Sequence, residues 1–345
     1  MKFYPEKISG TEELTELLSR PSEALVEMMK RTDGDFMFLG VGGKMGPTMA
    51  LMARRASEAA GTPRRIIGVS RFSKPAEQEF LEKNGIETLR GDLLDRTFLE
   101  SLTKVKNVIF LAGMKFGSED NLPLTWAMNT YLPALVAHYF TESRIVALST
   151  GTVYPLVPVS SGGSVETDKI EAVGEYAQSC LGRERMFQYG SLRYGTPAIL
   201  IRLNYAVEMR YGVLVDIARK VFQGEPVDLT MGCFNAIWQG DANDMILRSL
   251  EQASSPAGIL NITGPGILRV RDVAKTFGKR FGRKPIFTGK EADTALLNNA
   301  AKAFDLFGPP HVPLEQVIEW LAGWMLEGQE ILNKPTHFEV RNGKF

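Results

Sequence analysis

The chain has 345 residues, of which 44% are apolar and 23% are charged, and its 40 basic and 40 acidic residues give a formal net charge of zero. This length is enough for one large core, or for one core with an added lobe. The absence of a basic excess excludes a polyanion-binding surface of the usual kind, so we expect no nucleic-acid partner. Two cysteines exclude a disulfide framework, and three scattered histidines give no metal-ligand spacing, so no metal is expected.

The apolar residues are distributed as in a soluble globular protein. No apolar run reaches the length of a bilayer span, and the N-terminus has no apolar signal core. These features predict a cytoplasmic protein with no membrane partner. A small-molecule substrate is the expected partner.

The chain begins with about 34 residues of helical character and then alternates strands with helices. The strands are short apolar runs without strict alternation, which indicates that both faces of the sheet are covered. Strands that alternate with helices indicate a parallel sheet with right-handed crossovers. The predicted strands are 35–40, 65–70, 86–89, 106–111, 144–149, 198–203 and a returning strand at 258–262, and the longer predicted helices are 45–60, 75–84, 122–140 and 173–192.

This alternation predicts an α/β fold, a Rossmann-type doubly wound parallel sheet with a small C-terminal α/β substrate lobe. After the sixth strand the regular alternation of strands and helices ends, and stretches with Gly and Pro separate short helices. We therefore divide the chain into three parts, with the substrate cleft between the second and the third. They are a helical N-terminal extension (1–34), an NAD(P)-binding domain (35–203 with about 235–262) and a substrate lobe (about 204–234 with 263–345).

A glycine-rich loop joins the first predicted strand to the next helix. Gly40, Gly43 and Gly46 give a Gly-x-x-Gly-x-x-Gly spacing at this junction. Glycine is needed because the turn is tight, a Cβ would block a pyrophosphate, and the strand and helix pack closely. We expect the helix start, with Lys44 and Met45, to face the phosphates, and Lys44 to add positive charge. The alternative is a structural Gly-rich turn.

The second predicted strand ends in Ser70-Arg71. An NAD enzyme of this fold usually has an acidic residue there, which accepts hydrogen bonds from the ribose 2′-OH. A guanidinium beside a hydroxyl suits a 2′-phosphate instead, so the sequence favours NADP, with NAD as the other possibility. The alternative is that Arg71 is a solvated surface residue.

The segments Gly91-Asp92-Leu93 and Leu111-Ala112-Gly113-Met114-Lys115 follow the third and fourth predicted strands. Both resemble segments of the NAD-dependent epimerase/dehydratase family, the extended short-chain dehydrogenases/reductases. Gly91-Asp92-Leu93 is similar to the family's Gly-Asp-Leu/Val segment, whose aspartate contacts the adenine amine. Leu111-Ala112-Gly113-Met114-Lys115 resembles its Leu-Ala-Ala or Ala-Gly-x-Lys stretch, whose small residues let the chain lie against the cofactor. The resemblance implies cofactor contacts from Asp92, Leu93, Leu111, Ala112, Gly113 and Lys115. The alternative for Lys115 is a lysine on the loop surface.

The segment Leu148–Pro155 resembles the family's Ser-Ser/Thr-x-x-Val-Tyr-Gly motif. By that match the Thr150 hydroxyl would hydrogen-bond a substrate oxygen and polarise it. Tyr176 takes the position of the family tyrosine, whose phenol moves a proton while hydride passes to or from the nicotinamide, and it also contacts the cofactor. Arg202-Leu203-Asn204-Tyr205 is similar to the family's Arg-x-x-Asn-x-Tyr-Gly, which implies that Asn204 faces the substrate.

The helix that carries Tyr176 departs from the family pattern, because Cys180 stands where the Tyr-x-x-x-Lys motif has its lysine. That lysine supplies positive charge to the phenol and binds the ribose, and a thiol can do neither. An unperturbed tyrosine has a pKa of about 10, so a working Tyr176 needs another cation nearby. We expect Lys115 to be the better candidate, because its loop lies at the carboxyl end of a strand.

Two alternatives stay open at this helix. Arg183 shares a helix face with Tyr176 and Cys180 and could reach the tyrosine from the next turn. It could equally be solvated or held in an ion pair. Cys180 could take part in catalysis, or it could be a small buried residue.

The resemblance implies an NAD(P)-dependent oxidoreductase or epimerase that acts on a sugar, a nucleotide-sugar or another small hydroxy/keto compound. The missing lysine leaves a second interpretation, a non-catalytic dinucleotide-binding protein that is a sensor or a pseudoenzyme. Extended members of the family commonly pair through a four-helix bundle. We therefore predict a homodimer through helices 122–140 and 173–192, and the apolar positions that motivate this are Leu132, Leu135, Val136 and Tyr139. The alternative is that these positions face the sheet.

Overall fold

The computed structural model describes residues 4–115 and 117–344, and its elements alternate between strand and helix up to the sixth long strand. The strands are β1 (Phe36–Leu39), β2 (Ile66–Ser70), β3 (Glu87–Arg90), β4 (Asn107–Phe110), β5 (Arg144–Thr150), β6 (Val157–Pro158), β7 (Ala198–Leu203), β8 (Ala206–Val207), β9 (Pro226–Asp228), β10 (Cys233–Phe234), β11 (Ile237–Trp238), β12 (Gly258–Ile262), β13 (Leu268–Arg269), β14 (Ile286–Thr288) and β15 (Thr294–Ala295).

The helices cover both faces of the sheet and build most of the C-terminal lobe. They are α1 (Thr11–Leu18), α2 (Glu23–Arg31), α3 (Gly46–Ala59), α4 (Pro75–Lys83), α5 (Arg96–Ser101), α6 (Leu122–Trp126), α7 (Leu132–Tyr139), α8 (Gly174–Tyr194), α9 (Val213–Gln223), α10 (Gln239–Arg248), α11 (Val270–Phe281), α12 (Ala301–Phe307) and α13 (Leu314–Leu326). In the described part of the chain, none of them has the length and apolar composition needed to cross a bilayer.

Seven strands form one parallel sheet in the order β12-β7-β5-β4-β1-β2-β3. These are the seven strands that the sequence predicts, so the Rossmann-type doubly wound fold is confirmed. The order reverses between β1 and β4, and a crevice opens at the carboxyl ends of the strands at such a reversal. The fold therefore places a ligand site beside the glycine loop that follows β1.

The predicted helix 122–140 is interrupted. A wider, π-helical turn over Ala127–Tyr131 separates α6 from α7. Pro133 explains the interruption, because proline has no N–H to donate and its ring clashes with the carbonyl one turn earlier. The turn directs Asn129 inward, where it is fully buried.

Separate groups of buried side chains fill the two sheet faces and the C-terminal lobe. Leu132 and Val136 are fully buried against one sheet face, so these two candidate dimer positions belong to the core. Leu14 and Leu18 of the N-terminal extension pack in the core of the C-terminal lobe, whereas its second helix packs on α3. The extension thus connects the lobe to the sheet.

Short strand pairs, which the sequence does not predict, shape the lobe. The pairs are β8 with β11 and β9 with β14, both parallel, and β10 with β13 and β6 with β15, both antiparallel. After α13 the chain returns toward the sheet, and Thr336 donates two hydrogen bonds to Asp216 at 2.8 and 2.5 Å. This return brings Thr336 to the edge of the crevice described below.

Candidate functional site

The glycine loop has the geometry that a bound dinucleotide requires. Gly40 has a φ of +89°, and a Cβ placed on it would lie 2.6 Å from the backbone N of Ala112. A Cβ on Gly46 would lie 2.0 Å from the carbonyl oxygen of Val41. A Cβ on Gly43 would meet only one atom, at 3.6 Å, so this position faces open space. The first and third glycines are therefore needed for packing, and the second leaves room for a ligand.

The loop also presents free donors. Among the described residues, the backbone N–H groups of Lys44 and Met45 have no hydrogen-bond acceptor, whereas Gly43 N and Gly46 N bond within the loop. The N–H groups of Lys44 and Met45 lie at the N-terminus of α3, where the helix dipole favours an anion. The residues present thus fit the pyrophosphate of a nicotinamide dinucleotide.

The residues near the end of β2 include one that suits the 2′-phosphate of NADP and one that suits the ribose 2′-OH of NAD. Arg71 is exposed, and the chain then turns so that Phe72 enters the core with a φ of +46°. A Cβ built on Gly42 would lie 2.6 Å from the Ser70 hydroxyl oxygen and 3.3 Å from Oε2 of Glu77. The Glu77 carboxylate, from the first turn of α4, therefore stands between the glycine loop and the end of β2. No motif or spacing in the sequence indicates this role for Glu77.

The segment after β3 lies apart from the crevice. Asp92 is exposed and its carboxylate accepts a hydrogen bond from Leu94 N at 3.0 Å, while Leu93 is buried. Asp95 caps α5 by accepting from Thr97 N and Phe98 N. The structure leaves Asp92 available at the adenine end of a dinucleotide and does not bring it to the catalytic candidates.

One cavity of about 270 Å³ brings most of the predicted site residues together. It lies at the carboxyl ends of β1, β4, β5 and β7, against the C-terminal lobe. Of the predicted residues it is lined by Gly43, Lys44, Met45, Gly46, Leu111, Gly113, Lys115, Thr150, Tyr176 and Asn204, and Arg183, Tyr205, Tyr211 and Thr336 complete much of the wall. Ala112 lies behind this wall, where it packs against Gly40.

Tyr176 and Thr150 meet inside this cavity. Burial raises the pKa of the Tyr176 phenol well above its usual value, the Cys180 thiol raises it further, and Arg183 and the Thr150 hydroxyl lower it. The Thr150 hydroxyl also lies 3.0 Å from that of Thr152 and accepts from Thr152 N. Because its pKa is raised, the phenol keeps its proton at neutral pH and can serve there as a donor.

Cys180 is fully buried beside Val153 and Tyr154. Burial raises the pKa of its thiol, so the residue is a protonated packing group that contacts Tyr176. The charges of Arg183 and Lys115 lower that pKa, but burial outweighs them and denies the thiol the solvent access of an activated thiolate.

Arg183 is the cation that acts on Tyr176. Its side chain is 6% exposed, which excludes the solvated alternative. Nη1 donates to the Leu148 carbonyl at 2.6 Å and Nη2 to Oδ1 of Asn129 at 2.8 Å, while Nε is buried without an acceptor in the described residues. The guanidinium reaches the wall at Gly113, whose Cβ would lie 2.4 Å from Nη2.

Asn129 holds this arrangement and was not predicted as a site residue. Its amide accepts from Met114 N at 2.8 Å and donates to Met114 O at 2.9 Å and to the Ser179 hydroxyl at 3.0 Å. It thereby joins the loop after β4 to α8. The signal that could have found it is Pro133, because a proline inside a predicted helix marks a distortion near the preceding turn.

Lys115 lines the same cavity but acts on other groups. Burial lowers its pKa, and the charge of Asp216 and then that of Cys180 raise it. The charge of Arg183, by comparison, lowers the pKa of Tyr176. The structure thus places Arg183 beside the phenol as a cation, and Lys115, the candidate that the sequence favours, lines the same cavity.

Asn204 and Tyr205 bring the end of β7 to the cavity. The Asn204 amide donates to Oδ1 of Asn235 at 3.1 Å, which ties the strand to the lobe. Tyr205 has a φ of +42°, a strained conformation for a residue with a side chain, and such strain is concentrated at functional sites. No group of three or more potential metal ligands is present among the described residues.

Comparison with known proteins supports the fold. No protein-family model matches the chain, and no curated protein sequence does. Solved structures with this fold include a UDP-glucose 4-epimerase from Thermotoga maritima in complex with UDP-glucose, with a TM-score of 0.70 and 16% identity over 85% of this chain and 99% of that chain. A dTDP-glucose 4,6-dehydratase from Bacillus anthracis in complex with NAD has a TM-score of 0.71 and 14% identity over 85% and 96%.

A third solved structure, MoeE5 in complex with UDP-glucose and NAD, has a TM-score of 0.67 and 16% identity, and the match covers 85% of this chain and 99% of that one. These likenesses span nearly the whole of each known chain. They place the protein in the Rossmann-type fold class. At these identities they establish the fold.

Proposed function

We propose that this protein is an NAD(P)-dependent oxidoreductase or epimerase of the extended short-chain dehydrogenase type, acting on a sugar, a nucleotide-sugar or another small hydroxy/keto compound. The observation that carries the proposal is the convergence of the glycine loop, Thr150, Tyr176 and Arg183 in one cavity. A nicotinamide dinucleotide, when bound, supplies the hydride acceptor or donor.

The residues of the cavity would orient the substrate, transfer the proton and stabilise the charge that develops. The Thr150 hydroxyl orients and polarises the substrate oxygen, and Oη of Tyr176 gives or takes its proton. Arg183 stabilises negative charge on the phenol oxygen, because it is the positive group that lowers the pKa of Tyr176. Since burial still leaves that pKa raised, proton donation to a carbonyl is the favoured direction at neutral pH.

We propose NAD ahead of NADP as the cofactor. The NADP preference rests on Arg71, which is exposed, and Glu77 opposes it. A carboxylate beside the end of β2 suits the ribose 2′-OH and repels a 2′-phosphate. The acid that the sequence lacks at the strand end is thus supplied from α4.

We expect Glu77→Gln to raise the affinity for NADP relative to NAD by about tenfold, a change of about 1.4 kcal/mol. The reason is that a neutral amide removes the like charge from the 2′-phosphate. Calorimetric titration of both dinucleotides against wild type, Glu77→Gln and Arg71→Ala measures the ratio. Arg71→Ala is the matched control and should lower NADP binding only. An unchanged ratio in Glu77→Gln would show that the carboxylate does not face the ribose.

Turnover tests the function itself. Purified protein is mixed with each dinucleotide in both redox states and with a panel of sugars, sugar acids and nucleotide-sugars. The nicotinamide absorbance reports net oxidation or reduction, and chromatography of the sugars reports epimerisation, which returns the hydride and leaves the absorbance unchanged. Conversion by either readout that Tyr176→Phe abolishes supports the proposal. Tight dinucleotide binding without turnover, in wild type and in Cys180→Lys alike, would favour the non-catalytic sensor or pseudoenzyme. Failure to bind either dinucleotide would refute both.

The homodimer through the helices 122–140 and 173–192 stays a prediction, carried by different residues. Tyr131, Tyr189 and Leu192 are 55%, 59% and 68% exposed on packed neighbouring helices, so they form an apolar face that a partner could cover. We expect a dimer mass in sedimentation at micromolar concentration and a monomer mass for Leu192→Glu. A wild-type monomer would contradict this prediction.

A further inference from the structure

Lys44 occupies an unusual position for a glycine-loop residue. Its backbone N–H faces the proposed pyrophosphate site, but its side chain crosses to the C-terminal lobe. Nζ donates to the Ala206 carbonyl at 2.8 Å and lies 4.2 Å from the centre of the Tyr211 ring. In the part of the chain that the structure describes, no carboxylate forms an ion pair with this ammonium. A basic side chain in the cavity wall is thus left without an ion-pair partner among the described residues.

The surroundings strengthen the positive charge of this wall. Lys115 and Arg183 line the same cavity, and none of its described lining residues is an aspartate or a glutamate. Glu208, the nearest acid to act on Lys44, is fully buried in a pair with Arg210 at 3.2 Å. An isolated buried charge is unfavourable unless something compensates it. The cavity is therefore complementary to an anion.

We propose that this cavity binds an anionic group of the substrate, a carboxylate or a phosphate, against Lys44, with Lys115 adding positive charge. The substrate class is then a sugar acid, a sugar phosphate or a comparable acidic hydroxy/keto compound, and not a neutral sugar. This inference rests on the proposed function, since it concerns the substrate half of the same site.

The cofactor is the other possible source of the anion, and the geometry argues against it. The dinucleotide phosphates belong at the free N–H groups of Lys44 and Met45, at the start of α3. The ammonium instead lies between β8 and Tyr211, on the lobe side of the cavity. Charge placed there meets a ligand that enters between the sheet and the lobe.

The test uses the full-length protein saturated with NAD and compares sugars that differ in charge. D-glucuronate, D-glucose 6-phosphate and D-glucose are titrated by calorimetry into wild type, Lys44→Met and Lys44→Arg. Lys279→Met, an exposed lysine on α11, is the control for the loss of one charge. We expect a charged sugar to bind wild type at least about tenfold more tightly than glucose, and this ratio to fall about tenfold in Lys44→Met only.

The pH dependence gives a second readout. Burial lowers the pKa of Lys44 to about 7, while the charge of Glu208 raises it and those of Lys115 and Arg210 lower it. A bound anion would raise that pKa, so binding takes up a proton above about pH 7 and the affinity falls as the pH rises further. The groups that act on the ammonium from neighbouring elements are Glu208, Arg210, Lys115 and the Tyr211 ring. Asp216 in turn acts on Lys115 and Tyr211. Lys44→Arg should keep the affinity for the charged sugar and make that affinity depend less on pH. The pH dependence that remains would come from Lys115.

The outcomes separate this inference from the proposed function. If no dinucleotide binds wild type, the proposed function fails. If NAD binds but charged sugars bind no better than glucose, or do not bind, the anionic substrate is refuted. If Lys44→Met weakens NAD binding and leaves the charge ratio unchanged, the ammonium serves the cofactor phosphates and the inference is overturned.

Discussion

Replacing Arg183 with methionine is expected to lower turnover with any substrate of the cavity by about 100-fold, the scale of a disabled general acid or base. The physical reason is that Arg183 is the positive group that lowers the pKa of the buried Tyr176 phenol. Without it the phenolate is less stable, so proton abstraction from an alcohol suffers more than proton donation to a carbonyl. Steady-state rates in both directions measure the difference.

The pH profile distinguishes this electrostatic role from a structural one. Tyr176 must lose its proton to act as a base, and its pKa is raised, so the rate of oxidation should climb with pH in wild type. Losing Arg183 raises that pKa further and moves the profile to higher pH, whereas Arg183→Lys, which keeps the charge, should move it back. An unmoved profile with a uniformly lower rate would mean that Arg183 acts only through its bonds to Leu148 and Asn129.

Lys115→Met and Cys180→Ala complete the comparison. We expect Lys115→Met to move the profile less than Arg183→Met does, because Arg183 lowers the pKa of Tyr176 directly. Cys180→Ala should be mild for turnover, because the thiol is a protonated packing group. The opposite ranking would restore Lys115, the candidate that the sequence favoured, as the cation of the site.

The parts of the site that the sequence predicted are those set by local chain geometry. The glycine spacing required a tight turn after β1, and the structure places Gly40 and Gly46 where any side chain would clash. Apolar runs bounded by polar turns were enough to predict all seven strands of the sheet. The Asp95 cap of α5 is of the same local kind, because capping depends on a few neighbouring residues.

The parts that the sequence missed depend on contacts between distant segments. Lys44 bonds to Ala206, and no spacing rule indicates which way a loop lysine turns. Arg183 is buried because α8 packs beside Asn129, and that contact needs the interruption at Ala127–Tyr131. Glu77 reaches the loop from a neighbouring helix. Each of these side chains is ordinary in sequence and acquires its role only from the tertiary fold.

Behind the cavity, a buried ion pair gives the second large expected effect, this time on stability. Glu184 and Arg202 are 0% and 1% exposed, and they form a bidentate pair with bonds of 3.0 and 2.8 Å. Glu184 also accepts from the Ser149 hydroxyl at 2.6 Å, and Arg202 donates to Tyr154 at 2.7 Å. The pair thus joins α8 to β7 and β5 directly behind the catalytic candidates.

Arg202→Met should destabilise the protein by about 3–5 kcal/mol, because it leaves the Glu184 carboxylate buried without its counter-charge. Urea unfolding measures this as a lower midpoint at an unchanged slope. Glu184→Met should cost a similar amount, since it isolates the guanidinium. The double variant should recover much of the loss, because well-packed apolar side chains can replace a buried pair at little cost. Additive losses in the double variant would contradict this account and show that each side chain stabilises the fold through its other partners, Ser149 or Tyr154, and not through the pair.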